Sequence, residues 1–161
     1  MESQLFNLRD LRNALGRFAT GVTVVTAIEN GKAHGMTANA FVSVSLDPPL
    51  VLVSLDNRSH MHRVLPLAGR YGISVLAEDQ KAVSDHFAGR ATEDTNIQFI
   101  SRAGTVLLDG AVAYFAVRVV DVHPAGDHTL YVGSVEYFEF RDDKPLLIYA
   151  GKYRQLLAPR E

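Results

Sequence analysis

Cysteine and tryptophan are both absent from the 161-residue sequence, and it has neither a strong charge bias nor a long apolar run. Without cysteine there is no disulfide framework, no thiolate metal site and no thiol nucleophile, and a reducing cytoplasm is the simplest home. Sixteen Lys and Arg against 18 Asp and Glu leave a net charge of −2. That argues against nucleic-acid binding, which normally requires a clustered basic face. The opening Met1-Glu-Ser-Gln4 lacks the basic flank and apolar core of a secretory signal. The longest apolar runs, such as Pro49 to Leu55, fall far short of the ~20 residues that span a bilayer, so no membrane association is expected. Also missing are a Gly-x-Gly-x-x-Gly turn behind a strand, a Walker loop and a Gly-x-Ser-x-Gly elbow. Rossmann, P-loop and serine-hydrolase sites are disfavoured accordingly. No repeat, linker or low-complexity tract divides the chain, and its length suits one domain over residues 1–161.

What is present reads mainly as β structure. Leu8, Leu11 and Leu15 recur at helical spacing, Asn7 and Asp10 suit a helix start, and Gly16 ends or kinks the helix. From Gly21 the β-branched run Val22 to Thr26 predicts a strand. Glu29-Asn-Gly-Lys32 predicts a tight hairpin turn, because Asn-Gly readily takes the positive φ angles required. Further strands are expected at 33–40, 41–45, 50–55, 71–76, 111–123, 128–140 and 146–149. The nearly all-apolar run Leu50 to Leu55 lacks a solvated face and belongs in the centre of a sheet or barrel. Ser59 can cap a short helix through Leu67, and residues 78–88 read as a surface helix ending at Gly89. Residues 90–100 read as irregular. Seven or eight strands on short turns favour an antiparallel sheet closed into a barrel, flanked by two or three short helices. Val112 to Val122 is apolar on both faces, so one face needs a cover, and a homodimer is expected.

Six histidines occur, and His60-x-His62 is the one pair with metal-like spacing. At a helix start, i and i+2 side chains diverge and no carboxylate cluster adjoins them in sequence, so a solvated helix start is the better reading and no metal site is expected. The stretch Gly35-Met-Thr-Ala-Asn-Ala-Phe41 carries more chemistry. Ala38 and Ala40 let the backbone approach a flat ring, while Thr37 and Asn39 offer polar partners for its edge. By composition alone the stretch is also an ordinary strand with a polar end.

Five segments in order resemble the flavin reductase family. They are Gly35-Met-Thr-Ala-Asn39, Ser43-Val-Ser-Leu-Asp-Pro-Pro49, Ser54, Asp85-His-Phe-Ala-Gly89, and Gly126-Asp-His128 with Gly133 downstream. The resemblance runs from about Leu11 to Tyr153 and is closest to the reductase components of two-component aromatic monooxygenases. It implies an FMN-binding split barrel, hydride transfer from NADH (NADPH being less favoured) to FAD or FMN, and a separate oxygenase that receives the reduced flavin. The alternative is a flavin-binding redox carrier or sensor without turnover. A pyridoxamine-phosphate-oxidase-like barrel would need a Lys- and Arg-rich second phosphate site, and none is found.

The resemblance also implies the site. Thr37, Ala38 and Asn39 line the isoalloxazine edge, with Ser43, Val44 and Ser45 near the ring or ribityl chain. Ser54, Asn57, Arg58 and Ser59 meet the phosphate, a role that the positive end of a helix beginning at Ser59 supports independently. Phe87, Ala88 and Gly89 approach the flavin. Arg90 is either a phosphate partner or an ordinary surface arginine. His128 lies where the nicotinamide docks; its other reading is a loop side chain bonded to its own turn. Tyr149 and Tyr153 cover the same site or pack in the core. Ala40 departs from the family pattern, in which many relatives have serine, so any side-chain hydrogen bond from that position is lost.

Overall fold

The computed structural model describes residues 6–91 and 94–157. Helix α1 spans Leu8–Leu15, and its start is set by Asn7, whose side chain accepts the Arg9 N–H at 2.7 Å. Strand β1 (Thr20–Gly21) is followed by β2 (Thr23–Glu29) and β3 (Lys32–Ala38), which form a hairpin. Asn30 at φ 50° and Gly31 at φ 75° supply the left-handed turn that Asn-Gly predicts. Strands β4 (Phe41–Leu46) and β5 (Pro49–Asp56) pair next, then helix α2 (His60–Ala68), strand β6 (Arg70–Val75) and helix α3 (Lys81–Phe87). A small hairpin, β7 (Phe99–Arg102) with β8 (Thr105–Leu108), precedes the long pair β9 (Ala113–Ala125) and β10 (His128–Phe140). β11 (Leu147–Tyr149) and β12 (Lys152–Arg154) complete the described chain.

Seven strands form one antiparallel sheet in the order β3-β2-β6-β9-β10-β5-β4. Its two edge strands, β3 and β4, are consecutive in the chain and joined only by Asn39 and Ala40. The sheet must therefore curl until its edges meet at that corner, and the corner stays split because no ladder joins β3 to β4. The Ser54 N–H donates to Ala40 O at 3.0 Å and fixes the corner against β5. β1, β11 and β12 form a separate three-stranded sheet. This antiparallel split barrel with three short helices is the architecture expected from the sequence, and among the described residues no helix is long and apolar enough to cross a membrane.

Several expectations need correction. The described residues hold twelve strands rather than seven or eight. Phe99 and Ile100, read as irregular, begin β7; Ala103 (φ 49°) and Gly104 (φ 72°) turn the chain into β8. Thr92 and Glu93, within that same irregular stretch, lie outside the described residues. Helix α3 starts at Lys81 instead of Glu78, because the Gln80 side chain accepts the Ala77 N–H at 3.0 Å and holds the preceding residues in a turn. β5 is sixth of seven strands rather than central: Val51, Val53 and Leu55 are buried, while Leu50 and Leu52 on its other face are only half-buried. Its all-apolar texture therefore reflects one true core face and one partly covered face.

The barrel core gathers Val25, Val53, Leu55, Met61, Leu65, Tyr71, Ile73, Val117 and Tyr131. Tyr71 is fully buried, burial pushes its phenol well above the usual range, and its hydroxyl has no hydrogen-bond partner among the described residues. Room for that hydroxyl comes from Gly133, where an added Cβ would lie 2.7 Å from it and press on Val117. Leaving a buried polar group unpaired costs about 1–3 kcal/mol. Tyr71→Phe should therefore raise the unfolding free energy by up to that amount, moving the urea midpoint upward. Gly133→Ala should lower the unfolding free energy by about 1–3 kcal/mol through overpacking. Equilibrium urea unfolding with an unchanged m-value reads both effects.

Candidate functional site

Three pieces of backbone converge on one open cavity of about 650 Å³: β3 through Met36 and Thr37, the β5–α2 turn through Asp56, Arg58 and Ser59, and the end of α3 through Phe87, Ala88 and Arg90. Each piece is held in place by identifiable bonds.

The β5–α2 turn is built on Asp56. Its backbone carbonyl accepts the Ser59 N–H at 2.9 Å, and its carboxylate accepts the Arg58 N–H at 2.8 Å. Arg58 folds back on the same carboxylate through Nε (3.1 Å) and a terminal nitrogen (2.7 Å). Ser59 is extended and caps α2, its hydroxyl accepting the His62 N–H at 3.1 Å. A helix start leaves other N–H groups pointing outward with a partial positive charge, a ready seat for an anion.

β10 begins beside this turn. In the antiparallel register His128 lies opposite Asp56. Asn57 clamps the junction: its N–H donates to Asp127 O at 3.0 Å, its side-chain oxygen accepts the Thr129 hydroxyl at 2.7 Å, and its amide nitrogen donates to Gly126 O at 3.4 Å. His128 Nδ1 sits 2.7 Å from the Asp127 carboxylate, so the histidine is bonded within its own turn and its other ring nitrogen is not used in that contact.

Helix α3 is docked by a polar relay. Thr37 Oγ1 donates to Ser84 O at 2.7 Å, and Ser84 Oγ meets the Tyr153 hydroxyl at 2.8 Å. Tyr153 donates to Asp85 at 2.9 Å and accepts from Arg90 at 3.0 Å. Gly35 completes the contact, since any Cβ there would strike the Phe87 ring. Only glycine lets the aromatic ring lie on the β3 backbone.

The electrostatics follow from these pairs. Hydrogen bonds from Arg58 hold the Asp56 carboxyl well below the usual carboxylate range, and the same pairing raises the Arg58 guanidinium. His128 lowers Asp127 through its hydrogen bond. Tyr153, then Asp85, raises Arg90.

Of the residues expected at the site, Thr37, Arg58, Ser59, Phe87, Ala88 and Arg90 line this cavity, with Asn57 and His128 at its margin. Gly89 follows α3 at φ 70°. Ala38 is buried and its carbonyl accepts the Thr23 hydroxyl at 2.6 Å, while Asn39 is exposed at the split corner. Ser54 lies on β5 directly below that corner. Ser43, Val44 and Ser45 do not reach the cavity lining; they sit on the outer edge strand β4, with a register shift between Ser43 and Ser45 that leaves Val44 unpaired. Tyr149, on β11, and Tyr153, on β12, both belong to the separate three-stranded sheet, and the Arg17 guanidinium lies 5.9 Å from the Tyr149 ring. Tyr153 is the anchor of α3. Met36 and Asp56 line the cavity without having been singled out from sequence. Met36 lay inside the quoted motif, and the Asp-x-Arg spacing at 56 and 58 was the available signal for Asp56.

A depressed folded-state carboxyl contributes stability that is present above the unfolded value and fades as pH falls toward the folded one. Arg58→Ala should return the Asp56 titration toward the ordinary 3.8, read by NMR of the side-chain carboxyl. A titration unchanged by the substitution would show that Arg58 does not hold that group.

The comparisons with known proteins fit this geometry. A family model described as flavin reductase like domain matches residues 15–157. An NADH-dependent flavin reductase from Rhodococcus sp is 55% identical over 149 residues, covering 91% of this chain and 85% of the relative. The reductase component of 4-hydroxyphenylacetate 3-monooxygenase from Thermus thermophilus is 43% identical over 149 residues, covering 92% and 96%. Among solved structures, the flavin reductase PheA2 in its native state superposes with a TM-score of 0.93 at 43% identity, covering 95% of this chain and all of that one.

Proposed function

The chain belongs to the flavin reductase family, and we propose that residues 1–161 form one such domain, which reduces FMN or FAD with NADH and releases the product to a separate oxygenase. The observation that carries the site assignment is the convergence of β3, the capped start of α2 and the end of α3 on one cavity. Its dimensions and donor set fit a phosphorylated ring system: an anion seat at one end and an aromatic wall with small residues at the other. When bound, flavin supplies the redox chemistry, accepting hydride from the reduced nicotinamide and carrying the electrons away.

The protein's own residues then bind, orient and exclude water. Ser59 and the outward N–H groups of α2 take the phosphate. The Arg58 side chain, 88% exposed, is free to turn from Asp56 onto the anion. Phe87, Ala88 and Gly89 cover one side of the ring, and Thr37, Ala38 and Asn39 meet its edge through the backbone. The Thr37 hydroxyl is already given to Ser84, so its contribution is to position α3. His128, oriented by Asp127, borders the place where the nicotinamide docks. Hydride transfer requires the reacting atoms to be held about 3–3.5 Å apart and little proton transfer, so no indispensable acid or base is assigned. Relatives named NADH-dependent flavin reductases support NADH over NADPH.

A second copy of the chain completes the assembly in this reading. Val42 (52% exposed), Leu46 (91%), Phe138 (63%) and Phe140 (75%) leave apolar area on β4 and β10 uncovered. Burying it against a symmetry-related face would also enclose Ser43, Val44 and Ser45 near the bound ring.

Loss of nicotinamide absorbance with FMN and FAD supplied in turn tests the activity; a flavin that stays oxidised under NADH would leave only a carrier. The phosphate seat predicts that Arg58→Ala with Ser59→Ala weakens FMN binding roughly 10–100-fold, the worth of a charge-assisted hydrogen bond, while riboflavin binding is unchanged. His128→Ala should raise the NADH KM and leave flavin affinity unaltered; the opposite pattern would move the nicotinamide elsewhere.

A further inference from the structure

Glu29, His34 and His60 meet away from the cavity lining, and we propose that they form a binding site for one divalent transition-metal ion of the zinc class. The fold brings them together from three elements. Glu29 ends β2 and His34 lies on β3; with Ala27 opposite His34 and Lys32 opposite Glu29, the two occupy diagonal positions on one face of the hairpin. His60 is the first residue of α2. Their ligand atoms all lie within 4.8 Å of one another.

The geometry is that of convergent ligands. One carboxylate oxygen, Glu29 Oε2, lies 3.0 Å from His60 Nε2 and 3.3 Å from His34 Nε2. Ligand atoms placed tetrahedrally at ~2.0–2.1 Å from zinc are roughly 3.3 Å apart; the two Glu29 distances already match that spacing, and the two imidazole nitrogens, within 4.8 Å of each other, need only rotate toward the ion. Two imidazoles and one carboxylate with an open fourth position suit zinc and its neighbours better than calcium or magnesium, which prefer all-oxygen sets. Binding would replace the Nε2 protons that now face the carboxylate.

The sequence pairs His60 with His62, but the helix turns them apart: His62 Nδ1 is 2.7 Å from the Tyr131 hydroxyl in the barrel. The carboxylate that His60 does face is the single Glu29, which is 31 positions away in the chain. One neighbour opposes the ion. Arg63 donates to His60 Nδ1 at 3.3 Å, and a histidine bound through Nε2 carries its proton on Nδ1, where a guanidinium cannot accept it. Arg63 is exposed and must swing away. An ion here ties the β2–β3 hairpin to the first turn of α2, immediately after the Ser59 cap.

Calorimetric titration of Zn²⁺ into the chelator-treated full chain tests the site, with thermal unfolding as a second readout. One ion per chain and a raised Tm are expected. His34→Gln and His60→Gln should each weaken binding beyond the ~10–100-fold lost with an outer-sphere partner, and Arg63→Ala should tighten it. His123→Gln, which alters an exposed histidine beside Asp121, should leave the isotherm unchanged. Several ions per chain, no binding, or an isotherm indifferent to His34→Gln and His60→Gln would overturn the proposal.

Discussion

The pairing of β10 with β5 places His128 opposite Asp56, and the geometry of the site rests on that register. Asp56 organises the turn that caps α2, whereas His128 begins the strand returning from the long hairpin. A slip of one residue would reverse which side chains face the barrel and which face out. The register is held at its open end by the three hydrogen bonds of Asn57 and, further along, by Val51, Val53 and Leu55 on the buried face of β5. The turn that caps α2 and the histidine are thus held on one ladder rather than on two independent loops. Such placement on paired strands gives a precision that loops alone do not supply.

The third wall of the cavity depends on a different kind of contact. α3 has seven residues, and its N-terminal Gln80 makes no side-chain capping bond. Its position comes from outside: Thr37 reaches the Ser84 carbonyl, Tyr153 gathers Ser84, Asp85 and Arg90, and Gly35 admits the Phe87 ring. Tyr153 stands on β12, in the small sheet, so that sheet serves the site by anchoring the helix. This explains why a tyrosine outside the cavity can matter to what enters it. It also gives Thr37 a structural duty, the docking of that helix.

Much of the fold could be read from local pattern. Asn7 marked α1, Asn30-Gly31 the first hairpin, Ser59 the start of α2 and Gly89 the end of α3, because each satisfies a backbone need that few other residues meet. β1, β7, β8 and β12 escaped notice: they are two to four residues long, and their existence depends on a pairing partner rather than on periodicity. Six of the residues that motif order singled out, Thr37, Arg58, Ser59, Phe87, Ala88 and Arg90, line one cavity. Asp56 was missed because its role comes from Arg58 folding back across the turn, and no local signal showed that Tyr149 and Tyr153 stand in a small sheet separate from the barrel. The meeting of Glu29 with His60 was hidden for a related reason, since it requires α2 to pack over the β2–β3 hairpin. Ser43 to Ser45 lie on the outer edge strand β4, outside the cavity lining.

The most direct measurement is a two-dimensional amide map of the protein during FMN titration. The account predicts the largest shifts at His60 and Met61 in the first turn of α2, at Thr37 on β3 and at Ala88 and Gly89 behind α3. The β7–β8 hairpin should be little affected. Shifts concentrated on that hairpin, with the first turn of α2 unmoved, would contradict it.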